Sequence, residues 1–275
     1  MAEAIQQKAD LIITQGAVQS NHVRQTAAIA TKLGFACHVL LEERVSTDDV
    51  NYYKNGNVLL DKILGASHEF RPAGTDMNAA MKDVADKFAQ DGKKVYVIPG
   101  GGSNPVGALG YANAALELVY QATQMNMVID CVVLATGSTG TQAGLVAGLK
   151  TMGSGISVLG VSVRLPSDKQ IANVLRTTQA TCELLGNSNV TQEDILVAKD
   201  DYVGEGYGIP TKECLDAIYL LSREEGILLD PVYSSKGMAG MLDLSAKGYF
   251  KKGQNIVFLH TGGSQALSGY LNYFE

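Results

Sequence analysis

Short β-branched, apolar runs alternate with helical patterns almost throughout these 275 residues, and nothing else in the sequence restricts the fold as much. The runs DLIIT, CHVLL, HEFRP, KVYVIP, CVVLAT, SVLGVSV, DILVAK and NIVFLH read as strands. Between most of them lie stretches such as HVRQTAAIATKLG, DMNAAMKDVADKFAQDG and TKECLDAIYLLSREEG. Their apolar residues recur at three- and four-residue spacing, and each closes on a glycine, the usual helix stop. Parallel strands need long crossover connections, usually helical. The alternation therefore predicts an α/β fold of mostly parallel sheet flanked by helices. No linker rich in proline or serine divides the chain. The expected seam is PGGGSNPVGALGY, residues 99–111, where a strand ends in glycines and a helix begins.

Composition narrows the class of function. The net charge is −6 and no basic run interleaves with aromatics, which argues against a nucleic-acid surface. Cys37, Cys131, Cys182 and Cys214 form no C-x-x-C pair, and His22, His38, His68 and His260 show no ligand spacing. Reduced thiols, no metal and a cytoplasmic protein are expected. The opening MAEAIQQKAD has no basic stretch followed by an apolar one, so no signal peptide is expected there. No apolar run approaches the ~20 residues of a membrane span.

The 30 glycines cluster at PGGGSN, ATGSTGTQAG and LHTGGS, so they mark particular turns. In open parallel sheets, ligands bind beyond the carboxyl ends of strands, at loops and helix starts. CVVLATGSTGTQAGLVAGL is such a strand–loop–helix, with Gly137 and Gly140 among the hydroxyls of Thr136, Ser138, Thr139 and Thr141. Glycines let backbone approach an anion, and the N–H groups of a helix start attract one. The loop lacks both Gly-Lys-Ser/Thr and G-x-G-x-x-G, so phosphate binding without a nucleotide motif is the prediction. A second loop, TQGAVQSNHVRQTAA, presents Gln19, Ser20 and Asn21 where a strand gives way to a helix. On the motif alone Ser20 reads as a helix cap. Tyr207 in GEGYGIP, Tyr233 and Ser234 in DPVYSSKGMAG, and Thr261 in VFLHTGGS make a third set.

Six ordered stretches, GAVQSNHVRQTAAIATKLG, PGGGSNPVGALGY, ATGSTGTQAG, GYGIP, GILLDPVYSSKGMAG and FLHTGG, span about residues 10 to 263. Together they resemble the pyridoxal-phosphate enzymes of the tryptophan-synthase-β fold (fold type II). The branch is that of D-cysteine desulfhydrase and 1-aminocyclopropane-1-carboxylate deaminase. The resemblance implies two open sheets in a small domain (10–108) and a large one (1–9 and 109–275), pyridoxal 5'-phosphate in the cleft between them, and a homodimer. It implies that Gly137, Ser138, Thr139, Gly140 and Thr141 hold the cofactor phosphate and that Asn21 bonds its phenolic oxygen. By the same likeness Ser20 contacts the substrate carboxylate and takes part in proton transfer, while Tyr207 and Tyr233 line the substrate pocket. Ring-opening relatives carry a glutamate after that second tyrosine. This chain has Ser234, with Thr261 expected nearby, so the cofactor should be a milder electron sink. That favours α,β-elimination from a small D-amino acid, giving pyruvate, ammonia and, from D-cysteine, hydrogen sulfide. The deaminase and a non-catalytic cofactor-binding protein are the alternatives.

In such enzymes a lysine upstream of the Gln-Ser-Asn segment, in a Gly-Asn-Lys-x-Arg-type stretch, bonds the cofactor aldehyde and shuttles the α-proton. Nothing in MAEAIQQKADLIITQGAVQ resembles that stretch, and Lys8 and Lys236 are poor substitutes. The expectation is an N-terminally truncated lyase, inactive as it stands, or else a silent remnant. Loss of that segment is expected to expose apolar surface and favour non-native association.

Overall fold

The computed structural model describes residues 1–187, 189–198 and 202–275. All eight expected strands form, in two four-stranded sheets whose pairings are all parallel. The chain divides into two compact units: residues 1–101 with 263–275, and residues 102–262. Residues 1–9 and 263–275, expected with the larger body, thus cluster with unit 1, and residues 102–108, expected with the smaller one, cluster with unit 2. The contacts are specific: Tyr96 donates to Glu3, and the Ser268 hydroxyl accepts from Gly56 N–H at 3.1 Å.

In unit 1 the sheet order is β3-β2-β1-β4, with β1 Leu11–Ala17, β2 Ala36–Glu43, β3 Ser67–Pro72 and β4 Val95–Val97. Helices α1 Ala2–Gln6, α2 Asn21–Lys32, α3 Val50–Lys54, α4 Gly56–Ile63 and α5 Met77–Gln90 complete it. β1 is buried along almost its whole length, as a central parallel strand covered on both faces should be. Leu11, Ile13 and Leu40 meet Met77, Met81 and Val84 of α5 in one apolar cluster.

Unit 2 repeats the plan. Its order is β7-β6-β5-β8, with β5 Cys131–Thr136, β6 Ser157–Ser162, β7 Leu196–Val197 and β8 Ile256–Phe258. Residue 199, the last of DILVAK, lies outside the described residues. Its helices are α6 Pro105–Gln124, α7 Gly140–Thr151, α8 Ser167–Leu184, α9 Lys212–Glu225 and α10 Ser234–Ala246. The α7 face toward α6 is made of small residues because the two backbones nearly touch. A Cβ on Gly144 would lie 2.2 Å from the Ala108 carbonyl oxygen and 2.6 Å from Tyr111 Cβ.

Both sheets reverse strand order at their first strand: β1 lies between β2 and β4, and β5 between β6 and β8. Such a switch point leaves a crevice at the carboxyl ends of the strands, where parallel sheets bind ligands. Ser20 and Asn21 follow β1 at the start of α2, and Gly137 to Thr141 follow β5 into the start of α7. No helix among the described residues is long and apolar enough to cross a membrane. All four cysteines are reduced and buried.

One buried acid gives unit 1 a pH dependence. Asp61 of α4 is fully buried, and neither carboxylate oxygen has a hydrogen-bond partner among the described residues. Burial pushes its pKa up from 3.8 to about 7, with Arg24 pulling the other way. A raised carboxyl pKa favours the neutral form in the fold. Its contribution to stability is complete below pH 4 and lost as pH rises toward 7. His22 opposes it over part of the range, since burial lowers its pKa to about 4 and its contribution falls away below 6.5. Urea unfolding of wild type and Asp61→Asn at pH 4.5 and pH 8 separates the two. The variant should gain on wild type by a few kcal/mol, up to about 4, across that interval. An unchanged difference would refute the burial argument.

Candidate active site

In unit 2 the candidate residues start at the end of β5. Its last residue, Thr136, is buried and accepts a hydrogen bond from Gln170 Nε2 at 2.9 Å, so its hydroxyl faces the protein. Gly137 follows with little room for a side chain: a Cβ there would lie 3.2 Å from the Tyr233 ring, which would have to give way. Thr139 then adopts φ +88°, a left-handed conformation strained for a threonine, and α7 starts at the next residue. Strain of this kind persists only where surrounding contacts enforce it. The enforcing contact is visible in α8, where the Thr177 hydroxyl gives its proton to Asn173 O at 3.0 Å. Thr139 Oγ1, 2.9 Å from Thr177 Oγ1, must therefore be the donor of that pair.

The donors this loop offers an anion thus differ from what its spelling suggests. Thr139, counted among the hydroxyl donors, has its proton directed into α8. Gly140 N–H donates to Ser103 Oγ at 2.9 Å. The donors left for a phosphate are the main-chain N–H groups of the turn and of the first residues of α7, with the side chains of Ser138 and Thr141. Ser138 is exposed and Thr141 half-buried, and neither side chain has a hydrogen-bond partner among the described residues. This cradle, tight at Gly137 and open at Ser138, suits a phosphate group. Ser103 was missed as a site residue although its stretch, PGGGSN, had been singled out.

Tyr233 caps α10 and packs on that loop. Burial, with Tyr207, Tyr111 and Asp230 nearby, pushes its phenol above the ordinary value, while a hydrogen bond from the Gly137 backbone acts the other way. Two tyrosines predicted from separate loops therefore lie together, and Tyr111 of α6 joins them. Gly208, at φ +90°, turns the loop just after Tyr207.

Ser234 is buried, and its chemistry is set by a residue the sequence reading passed over. Asp230 accepts from the N–H groups of Val232, Tyr233 and Ser234, at 2.9, 2.7 and 2.8 Å. Ser234 Oγ donates to Asp230 Oδ2 at 2.6 Å and accepts from Asp230 N–H at 2.8 Å. A serine hydroxyl has one proton, so Ser234 has none to give another acceptor while this arrangement holds. Thr261 lies beyond β8, half-buried, without a hydrogen bond to another described residue. Lys236, one turn after Tyr233, is fully buried, and its ammonium donates to Val203 O at 2.5 Å and Gly206 O at 2.9 Å. Burial lowers its pKa.

In unit 1 the candidate residues follow β1. Ser20 is the N-cap of α2, its hydroxyl oxygen accepting from Val23 N–H at 3.3 Å. The cap uses a lone pair and leaves the hydroxyl proton free. Asn21 opens the helix, and its Oδ1 accepts from Asn57 Nδ2 at 2.8 Å. His22 follows with its tautomer fixed. Thr14 Oγ1 donates to Ile98 O at 2.9 Å, so it can only accept from His22 Nε2, 2.8 Å away. Nδ1 then carries the lone pair, and a pKa of about 4 keeps the ring neutral near pH 7.

Comparison with known proteins accords with this geometry. The family described as pyridoxal-phosphate dependent enzyme matches residues 1–262. A D-cysteine desulfhydrase of Serratia proteamaculans (strain 568) is 43% identical over 275 residues, covering 98% of this chain and 81% of the relative. The crystal structure of a 1-aminocyclopropane-1-carboxylate deaminase homologue superposes with TM-score 0.87 and 34% identity, covering 98% of this chain and 79% of that one. A hydrogen sulfide-producing enzyme from Fusobacterium nucleatum shares the fold, with TM-score 0.61 and 18% identity, over 96% of this chain and 83% of that one.

Proposed function

Because the chain belongs to the family of pyridoxal-phosphate-dependent enzymes, and is a lyase by its likeness to D-cysteine desulfhydrase, we propose that it acts on D-cysteine. The reaction takes up one water and releases pyruvate, ammonia and hydrogen sulfide. The loop after β5 would hold pyridoxal phosphate, which would supply an electron sink for the α-carbon of the substrate. The N–H groups of the turn and the hydroxyls of Ser138 and Thr141 hold its phosphate. Ser20 keeps a free proton for the substrate carboxylate. Tyr207 and Tyr233 narrow the pocket to a small side chain.

The observation that favours sulfide elimination over ring opening is the commitment of Ser234 to Asp230. Ser234 has no proton to offer the ring nitrogen expected there, because its one hydroxyl proton is already placed on Asp230. Expelling sulfide, a good leaving group, tolerates the weaker electron sink that results. We also propose that this chain does not supply the amine partner of the cofactor aldehyde. Lys236, buried in unit 2, spends its ammonium on two main-chain carbonyls.

The test is sulfide and pyruvate release from D-cysteine, L-cysteine and 1-aminocyclopropane-1-carboxylate by the cofactor-loaded chain, with and without ethylamine as a diffusible base. Sulfide should come from D-cysteine above the other two, and ethylamine should raise the rate at least about tenfold, as an added general base does. Production of 2-oxobutanoate from the cyclopropane would overturn the desulfhydrase reading. Fast turnover of D-cysteine without ethylamine would overturn the statement about lysine.

A further inference from the structure

A relay of side-chain amides in unit 1 starts at the main chain and ends at the helix start facing the switch point. Gln19, buried, donates through Nε2 to the carbonyls of Tyr52 at 2.6 Å and Asn55 at 3.0 Å. Its Oε1 accepts from Asn57 N–H at 2.9 Å. Asn57, fully buried on the first turn of α4, donates through Nδ2 to Gln19 O at 3.1 Å and to Asn21 Oδ1 at 2.8 Å.

A peptide carbonyl only accepts, so Gln19 O forbids Asn57 from turning its amide round. The second proton of that amide needs an acceptor, which forces Asn21 to direct its oxygen inward. By elimination the Asn21 amide group points away from Asn57. Its two N–H bonds have no acceptor among the described residues, and Asn21 is half-exposed. Asn57 Oδ1, meanwhile, is buried without a partner. A side chain selected for stability alone would not leave that atom unpaired.

We propose that Asn57 is a positioning residue that fixes the polarity of Asn21, so that the helix start offers donors and no acceptor to an anionic oxygen of the ligand. Resting on the function proposed above, that oxygen is the ionised ring hydroxyl of pyridoxal phosphate. Asn57 does not touch the ligand. It decides which end of Asn21 does.

The probe is 4'-deoxypyridoxine 5'-phosphate, which keeps the phosphate and ring hydroxyl but has no aldehyde, so its binding needs no lysine. Ultraviolet absorbance reports ionisation of the ring hydroxyl across pH, and a titration gives the Kd. Bound to wild type, the hydroxyl should ionise at lower pH than in free probe. Asn57→Asp keeps the shape but removes the donor, so Asn21 turns its amide group inward and its oxygen out. That should raise the pH of ionisation by roughly one unit or more, as loss of a hydrogen bond to a charged form does. The Kd should weaken at least about tenfold. In an Asn21→Ala background Asn57→Leu, which adds no charge, should change neither quantity further, because the residue it acts through is gone. If N57D does not fold, Asn57→Leu removes the same donor without adding charge and carries the same expectation. Unchanged ionisation in the Asn57 variant, or an equal effect in the Asn21→Ala background, overturns the proposal. Failure of wild type to bind the probe overturns the cofactor site itself, before any Asn57 variant is read.

Discussion

Ser138→Asp is expected to weaken pyridoxal-phosphate binding by at least about a hundredfold while leaving the melting temperature unchanged or slightly raised. Ser138 is exposed at the turn between β5 and α7, so the substitution disturbs no packing. A carboxylate near a helix start is favourable by about 0.3–1 kcal/mol, which is why stability should not fall. For the phosphate the same carboxylate is a competitor, since it carries like charge and accepts the same N–H groups. Unit charges about 4 Å apart repel by roughly 1 kcal/mol in water and 4 kcal/mol near a protein surface, and a phosphate dianion doubles this. A hundredfold loss corresponds to about 2.7 kcal/mol, inside that interval. Equilibrium dialysis with the cofactor measures the loss. Ser138→Asn, neutral and of similar size, should stay within about threefold of wild type, since exposed substitutions cost little. Binding by the Asp variant as tight as that of wild type would mean the phosphate is held elsewhere.

Gly144→Val is expected to destabilise unit 2 by about 3 kcal/mol or more, because overpacking here meets main chain instead of a side chain that could swing away. The Cβ alone would sit 2.2 Å from the Ala108 carbonyl oxygen, so α6 and α7 must separate. In a unit of this size that lowers the melting temperature by roughly 6–12 °C. Gly110, exposed on α6 with open space around it, supplies the comparison. Gly110→Ala should gain up to about 1 kcal/mol through helix propensity alone. Calorimetry on both variants decides. Equal melting temperatures would show that the close helix contact does not govern the stability of the unit.

Local periodicity carried the architecture. Each of the eight strands was spelled by its own apolar run, and helices α2, α5 and α9 by their own spacing, so these needed no long-range information. The same holds for the turn from Gly137 to Thr141, because a glycine-rich strand-to-helix junction is a local shape. What escaped was partnership. Nothing near Thr139 says that its proton goes to Thr177, on a helix 38 residues further along. Nothing near Asn21 names Asn57, whose side chain arrives from α4, 36 residues away. Ser234 and Asp230 are only four residues apart, yet their hydrogen bonds depend on how the chain bends between them. The assignment of the final turns to unit 1 depends on contacts such as Ser268 with Gly56, separated by 212 residues. A sequence shows which donors exist. Where each donor is spent is settled by packing.

The buried, reduced cysteines give the molecule an internal clock. Cys37 belongs to unit 1, and its thiol is pushed up to about 12 by burial and by Asp61. Cys131, Cys182 and Cys214 belong to unit 2. Thiolates react and shielded thiols do not, so an alkylating reagent can modify each site only during a transient opening of its surroundings. Mass spectrometry of the alkylated peptides therefore times the breathing of the two halves separately in a single sample, without an introduced label.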